Sequence, residues 1–208
     1  YKRQVQRIPS LTKILFNFNI KTTIILLFHA KYYEFELQLK MLKTWYNKKR
    51  HNEWSDGMKG FVFFDLDGTL LNGESKVDKA TAEAIQTLKD NGYEPFIATG
   101  RSPAETRDIM ESANIHSGIF MNGQVVLYQG ERVFSSEIPT ETVERFHQMV
   151  KEDGYGLTAY NNKEFYLVES SAGAKDAYGF IHTNPPALNA DFYKENPINM
   201  MLFISLPP

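Results

Sequence analysis

The chain has 208 residues, 42% of them hydrophobic and 23% charged, and it has no cysteine. That length and apolar content suit one or two folded domains and exclude a disordered chain, while the missing cysteines exclude disulfides, thiolate metal sites and a cysteine nucleophile. The net charge of −2 conceals an asymmetry: residues 1–57 hold eleven Lys and Arg against four Asp and Glu, and residues 58–208 hold twelve against twenty-one, so two segments of different character are expected.

In the first segment, Ile14–Ile20 and Ile24–Phe28 are apolar but interrupted by Lys21, Thr22 and Thr23. They fall short of the roughly 18 to 20 apolar residues of a membrane span, and no small-residue cleavage site of a secretory signal follows. Residues 32–46 suit a helix with Phe35, Leu39 and Leu42 on one face, followed by the basic cluster Lys48–Arg50. Residues 1–57 therefore read as a basic N-terminal extension, solvated or poorly ordered. A second reading makes them non-native: Phe, Ile, Lys, Asn and Tyr share A/T-rich codons, and Met58 directly precedes a strong strand. A reducing cytoplasm is the expected compartment.

From Met58 the pattern alternates. Phe61–Phe64 is a short β-favouring run that suits a buried strand. Residues 78–91 open on a capping aspartate and close before Gly92, as a helix does. Residues 93–98 predict a second strand, 103–114 a helix with Pro103 in its first turn, and 118–121 a third strand. This β-α-β-α-β order implies a Rossmann-like, doubly wound parallel sheet of the α/β class. Beyond Asn122, residues 125–128 and 132–135 predict a hairpin. A helix over 140–153 follows, then strands over 155–160 and 164–169 joined by Asn161-Asn-Lys. Residues 170–197 are polar, with a short helix expected around 172–180, and 198–204 predict a last strand.

Asp65 and Asp67 stand one residue apart at the C-terminal end of the first of these strands, where ligands bind in open α/β sheets. Extended backbone would point both to one side. Adjacent like charges favour a divalent, oxygen-loving cation. Gly68 permits close backbone approach, and Thr69 can hydrogen-bond in the turn. An ordinary acidic turn explains many such D-x-D-G stretches; here the apolar run before it and Thr-Leu after it favour chemistry. Asn161 and Asn162 read as turn residues, Lys175 as a solvated lysine, and His116, His147 and His182 as surface or packing residues without metal-ligand spacing.

The stretch Phe63-Phe-Asp-Leu-Asp-Gly-Thr-Leu-Leu71 resembles the first motif of the haloacid dehalogenase-like (HAD) hydrolases. Thr99 in Phe96-Ile-Ala-Thr-Gly-Arg101 resembles their second, and Gly100-Arg101 with Met121-Asn-Gly123 look like the Cof-type branch. The resemblance runs from Met58 to the C-terminus and divides it into an N-terminal part of the core, 58–136, and a partial α/β cap, 137–208. It implies a phosphatase acting on small phosphate monoesters such as sugar phosphates. Asp65 would be the nucleophile and Asp67 the acid-base group. Mg2+ would be held by the Asp65 carboxylate and the Asp67 backbone carbonyl. Thr99, with backbone groups of Leu66, Gly68 and Gly100, would bind phosphate, and Arg101 and Asn122 would contact the substrate. Neither nucleic acid nor a membrane is expected as a partner.

The sequence departs from the family pattern where a third-motif lysine and a later acidic pair are expected, since the chain ends inside what resembles the cap. Poor activity of this polypeptide alone is therefore expected. The alternative is a non-catalytic phosphate- or partner-binding fragment. A phosphorylatable receiver domain fits the Asp-x-Asp-Gly-Thr spacing less well, and P-type ATPases carry lysine and threonine where Leu66 and Asp67 stand.

Overall fold

A computed structural model describes residues 12–17, 23–28, 58–180 and 184–205. The helix expected over 32–46 lies outside them, as does His182. The chain divides into two compact units, one covering residues 1–101 and 105–134, the other 102–104 and 135–208.

The first unit is built on a seven-stranded sheet in the order β1-β2-β3-β4-β5-β6-β7. Strands β1 (Thr12–Asn17) and β2 (Thr23–Phe28) pair as an antiparallel hairpin, and β2 lies parallel to β3 (Gly60–Phe64). The reading of residues 1–57 as an extension did not anticipate these two strands, because a strand beside β3 is chosen by pairing across the fold rather than by local pattern. Helix α1 (Lys79–Asp90) connects β3 to β4 (Tyr93–Ala98), and α2 (Arg107–Ala113) connects β4 to β5 (Ser117–Phe120). β3, β4 and β5 are parallel neighbours. β6 (Val125–Tyr128) then returns antiparallel to β5 and leads to β7 (Glu131–Ser135). The α/β class stands, with a mixed sheet whose parallel run is β2 to β5.

Register explains the core. Phe63 pairs with Phe96, Ala98 with Ile119, and Ile119 with Val126, so these side chains share one face with Phe61. They form one buried cluster, to which Met58, Tyr128, Val133 and Phe134 add their partly buried side chains. Phe61 meets Phe96 edge-on at 5.2 Å between ring centroids, and Phe63 lies 5.0 Å from Phe96, within the favourable range for aromatic pairs. Helix α1 packs on β4 and buries Ile85. Its start is fixed by Asp78, whose Oδ1 accepts the Thr81 N–H at 2.8 Å. Helix α2 begins later than 103, because residues 103–106 form turns and Thr106 is the N-cap. It ends on Asn114 in the left-handed conformation.

The second unit has a three-stranded antiparallel sheet in the order β10-β8-β9, from β8 (Gly156–Tyr160), β9 (Phe165–Glu169) and β10 (Met200–Ile204). Alternation along β8 separates its two faces. Leu157 and Ala159 pack with Val143 and Val150 of α3 (Thr140–Glu152) and with Phe192 and Tyr193 of α5 (Phe192–Glu195). On the other face, Thr158 accepts a hydrogen bond from Tyr178 of α4 (Ala174–Phe180) at 2.8 Å, and the Tyr178 and Tyr160 hydroxyls lie 2.9 Å apart. Asn161 shapes the β8–β9 turn, its Oδ1 accepting the N–H groups of Lys163 and Glu164. His147 is buried against Tyr193 and Glu169, its Nδ1 3.3 Å from the tyrosine hydroxyl and its Nε2 3.1 Å from the carboxylate. Burial pushes the Tyr193 hydroxyl above its ordinary pKa. Among the described residues, no helix is long and apolar enough to cross a membrane.

Candidate active site

Three strand ends of the first unit carry the candidate residues. β3 stops at Phe64, and Asp65 is the last extended residue before a wide helical turn over Leu66–Leu70. Two bonds close that turn, from the Leu70 N–H to Asp65 O at 3.2 Å and from the Leu71 N–H to Leu66 O at 3.0 Å. The Asp65 side chain is held at the turn's start, its Oδ1 accepting the Leu66 N–H at 2.8 Å. Leu66 and Leu70 anchor the turn in the core, both buried.

Asp67 is not on the strand, as strict alternation would have it, but inside the turn. The turn reverses at Gly68, which has φ 75° and ψ 8°, a left-handed conformation that costs glycine almost nothing. Asp67 is thereby presented to solvent, where its Oδ1 lies 2.6 Å from Nη2 of Arg101. The sequence reading assigned Arg101 to the substrate side and missed this pair. No local signal marks it, because the two residues are 34 apart in the chain.

β4 ends next door. Phe64 pairs with Ile97, so Asp65 and Ala98 follow on neighbouring strands, with Thr99 one residue beyond. The Thr99 N–H donates to Ile119 O at 2.9 Å, and its Oγ1 accepts the Arg101 N–H at 3.2 Å. Thr99 thus closes the turn that leads from β4, and it is half-buried rather than packed away.

The third strand end is a turn of three residues with positive φ: Met121 at 52°, Asn122 at 54° and Gly123 at 96°. Two bonds tie it to the β4 loop, from the Met121 N–H to Arg101 O at 3.0 Å and from the Asn122 N–H to Thr99 O at 3.4 Å. Gly100 sits against Asn122: a Cβ built there would lie 3.1 Å from Asn122 Oδ1. Leu66, Gly68, Thr99, Gly100, Arg101 and Asn122 are therefore carried on three adjacent loops, with Asp65 and Asp67 on the first of them.

The donor set suits magnesium. Mg2+ binds through one or two carboxylates together with waters and phosphate oxygens, and Asp65 with the Asp67 peptide oxygen offers that minimum. Among the described residues, no group of three or more His, Asp and Glu side chains could hold a metal by itself. Of the described histidines, His116 meets the Asn114 side chain at 3.1 Å, and His147 belongs to the second unit. Lys175 is exposed.

Comparison with known proteins gives a consistent answer. The family model described as haloacid dehalogenase-like hydrolase matches residues 62–207. The Bacillus subtilis (strain 168) protein YkrA, whose name describes it as a candidate phosphatase, is 32% identical over 142 residues, 68% of this chain and 55% of its own. A hypothetical protein of Geobacillus kaustophilus HTA426 superposes with a TM-score of 0.65 at 25% identity, covering 69% of this chain and 56% of that one. A HAD subclass IIB sugar phosphatase superposes with a TM-score of 0.54 at 26% identity, covering 68% and 56%. The chain spans about half the length of YkrA.

Proposed function

The chain belongs to the haloacid dehalogenase-like hydrolase family, and from that premise we propose that it is a magnesium-dependent phosphatase of small phosphate monoesters, working through an aspartyl-phosphate intermediate. The observation that carries the reading is the seating of Asp65 and Asp67 at the end of β3, beside Thr99 at the end of β4. Likeness to a protein described as a sugar phosphatase supports sugar phosphates as the substrate class. Residues 135–208 then read as part of a cap that selects among substrates.

In this reading the Asp65 carboxylate, oriented by its bond to the Leu66 N–H, attacks phosphorus and the bond to the leaving oxygen breaks. Asp67 donates a proton to that oxygen. It then takes one from the water that hydrolyses the acyl phosphate, which releases phosphate and restores Asp65. Thr99 Oγ1 and the backbone N–H groups of Gly68 and Gly100 hold the non-bridging oxygens, the Leu66 N–H being taken by Asp65 Oδ1, while Arg101 and Asn122 face the substrate. A magnesium ion held by the Asp65 carboxylate and the Asp67 backbone carbonyl would supply positive charge against that building up on the phosphoryl group. Removing one preorganised donor of this kind costs about 2.7 to 4 kcal/mol of transition-state stabilisation. Because no third acidic group joins the pair among the described residues, slow turnover by this polypeptide is part of the proposal.

The test is trapping. With p-nitrophenyl phosphate and Mg2+, borohydride reduction should convert Asp65 to homoserine, detectable by mass spectrometry, and Asp65→Asn should abolish both this product and nitrophenol release. Nitrophenol release that survives Asp65→Asn would sink the mechanism. Phosphate binding with neither product would select the non-catalytic binding fragment instead.

A further inference from the structure

The proposed chemistry gives Asp67 and Arg101 different partners, yet the two are bound to each other at 2.6 Å. We propose that Arg101 is a two-position cation. It rests on Asp67 while the loops hold no phosphoryl group, and it moves to the phosphoryl oxygens when one arrives. This inference rests on the phosphatase reading of the same site.

Three features carry it. The Arg101 backbone is fixed, its N–H donating to Thr99 Oγ1 at 3.2 Å and its carbonyl accepting the Met121 N–H at 3.0 Å, so any movement is confined to the side chain. That side chain is 36% exposed and its Asp67 partner 63%, and a pair so open to water and salt holds weakly. Finally, the Arg101 backbone N–H bonds to Thr99 Oγ1, so the side chain springs from the loop that carries the proposed phosphate ligand. A phosphate monoester carries more charge than one carboxylate, and its oxygens match the planar fork of a guanidinium for paired bonds. The incoming phosphoryl group is therefore the better acceptor.

Asp67 then opposes phosphate binding twice, through its own charge and by occupying Arg101. Removing the Asp67 charge should consequently help phosphate more when Arg101 is present than when it is not. The experiment is a double-mutant cycle on the full 208-residue chain, with inorganic phosphate as the probe and calorimetric Kd values measured at one salt and one Mg2+ concentration. Asp67→Asn should tighten binding about fivefold in the parent and less than twofold when combined with Arg101→Gln, and Arg101→Gln alone should weaken binding several-fold. Circular dichroism checks that each variant is folded, and Arg101→Lys, which keeps the charge but loses the fork, carries the cycle if the glutamine variant is not.

An equal gain from Asp67→Asn in both backgrounds would overturn the two-position cation while leaving the phosphate site intact. A folded parent that binds no phosphate, or a Thr99→Ala variant that binds as tightly as the parent, would overturn the site reading itself.

Discussion

Replacing Gly68 by alanine isolates the cost of one backbone conformation at the centre of the candidate site. The residue has φ 75° and ψ 8°, and no atom lies within 4 Å of the Cβ that alanine would add. Steric clash is therefore absent, and the penalty comes from the backbone alone. A left-handed residue other than glycine costs about 1 to 2 kcal/mol, and about 0.4 to 1 kcal/mol of that returns because alanine restricts the unfolded chain. The net loss should be about 1 kcal/mol. Gly68→Asn should lose less, since asparagine tolerates this region through local hydrogen bonds. Urea unfolding followed by circular dichroism, with the slopes compared to check that the same surface is exposed, measures both variants. An alanine variant as stable as the parent, or an asparagine variant weaker than the alanine one, would show that the reversal at Gly68 is not what shapes this turn.

Phe63 is fully buried, with ring contacts to Phe96 at 5.0 Å and Phe61 at 6.5 Å; Phe63→Ala should cost about 3 to 5 kcal/mol in the same assay, and a loss under about 1 kcal/mol would contradict the register. In the second unit, Tyr178→Phe removes the donor to buried Thr158 and should cost about 1 to 3 kcal/mol. Adding Thr158→Val should recover part of that loss, because it removes the Thr158 hydroxyl, one of the two groups that lose the Tyr178 hydroxyl, Tyr160 being the other; a double variant less stable than the single would reject the account. The Thr81 backbone N–H holds the Asp78 carboxyl below its ordinary pKa. A depressed carboxylate stabilises the fold above its unfolded pKa, and that stabilisation is lost as pH falls through the folded value. The melting-temperature gap between parent and Asp78→Ala should therefore narrow on acidification below the carboxylate range, and a constant gap would refute the linkage.

Where a residue's neighbours in sequence decide its conformation, the sequence was readable. Tyr93–Ala98 is a strand over the expected residues, and α1 starts just after Asp78 and stops before Gly92, because capping and apolar periodicity are local. The motif positions of the site were legible for the same reason: strand, acidic turn and helix follow one another within a few residues. What lay hidden depends on contacts across the fold. The apolar Thr23–Phe28 run becomes β2 by pairing with β1 and β3. Asp67 leaves the strand direction because the turn bonds onto Asp65 and Leu66, and its ion pair with Arg101 requires two loops to meet. Helix α2 lost its first turn to the bends over 103–106. Met121, an apolar residue expected to end a strand, instead takes a positive φ held by the Arg101 carbonyl. Local sequence marks His147 only as a surface or packing residue, and the packed second unit gives it Glu169 and Tyr193 as partners.

The three strands whose ends carry the candidate residues are consecutive in the chain as well as in the sheet. Each new pairing, β4 on β3 and β5 on β4, is parallel and spans a helical crossover: Phe63 pairs with Phe96 and Ala98 with Ile119, and such a connection takes a dozen or more residues to close. Loop closure must then precede the contacts that reward it, which makes parallel pairing slow. The candidate loops, contained within residues 65–123, therefore meet only after both crossovers have closed. Kinetically, the candidate site is a late product of the parallel run rather than a local element of it.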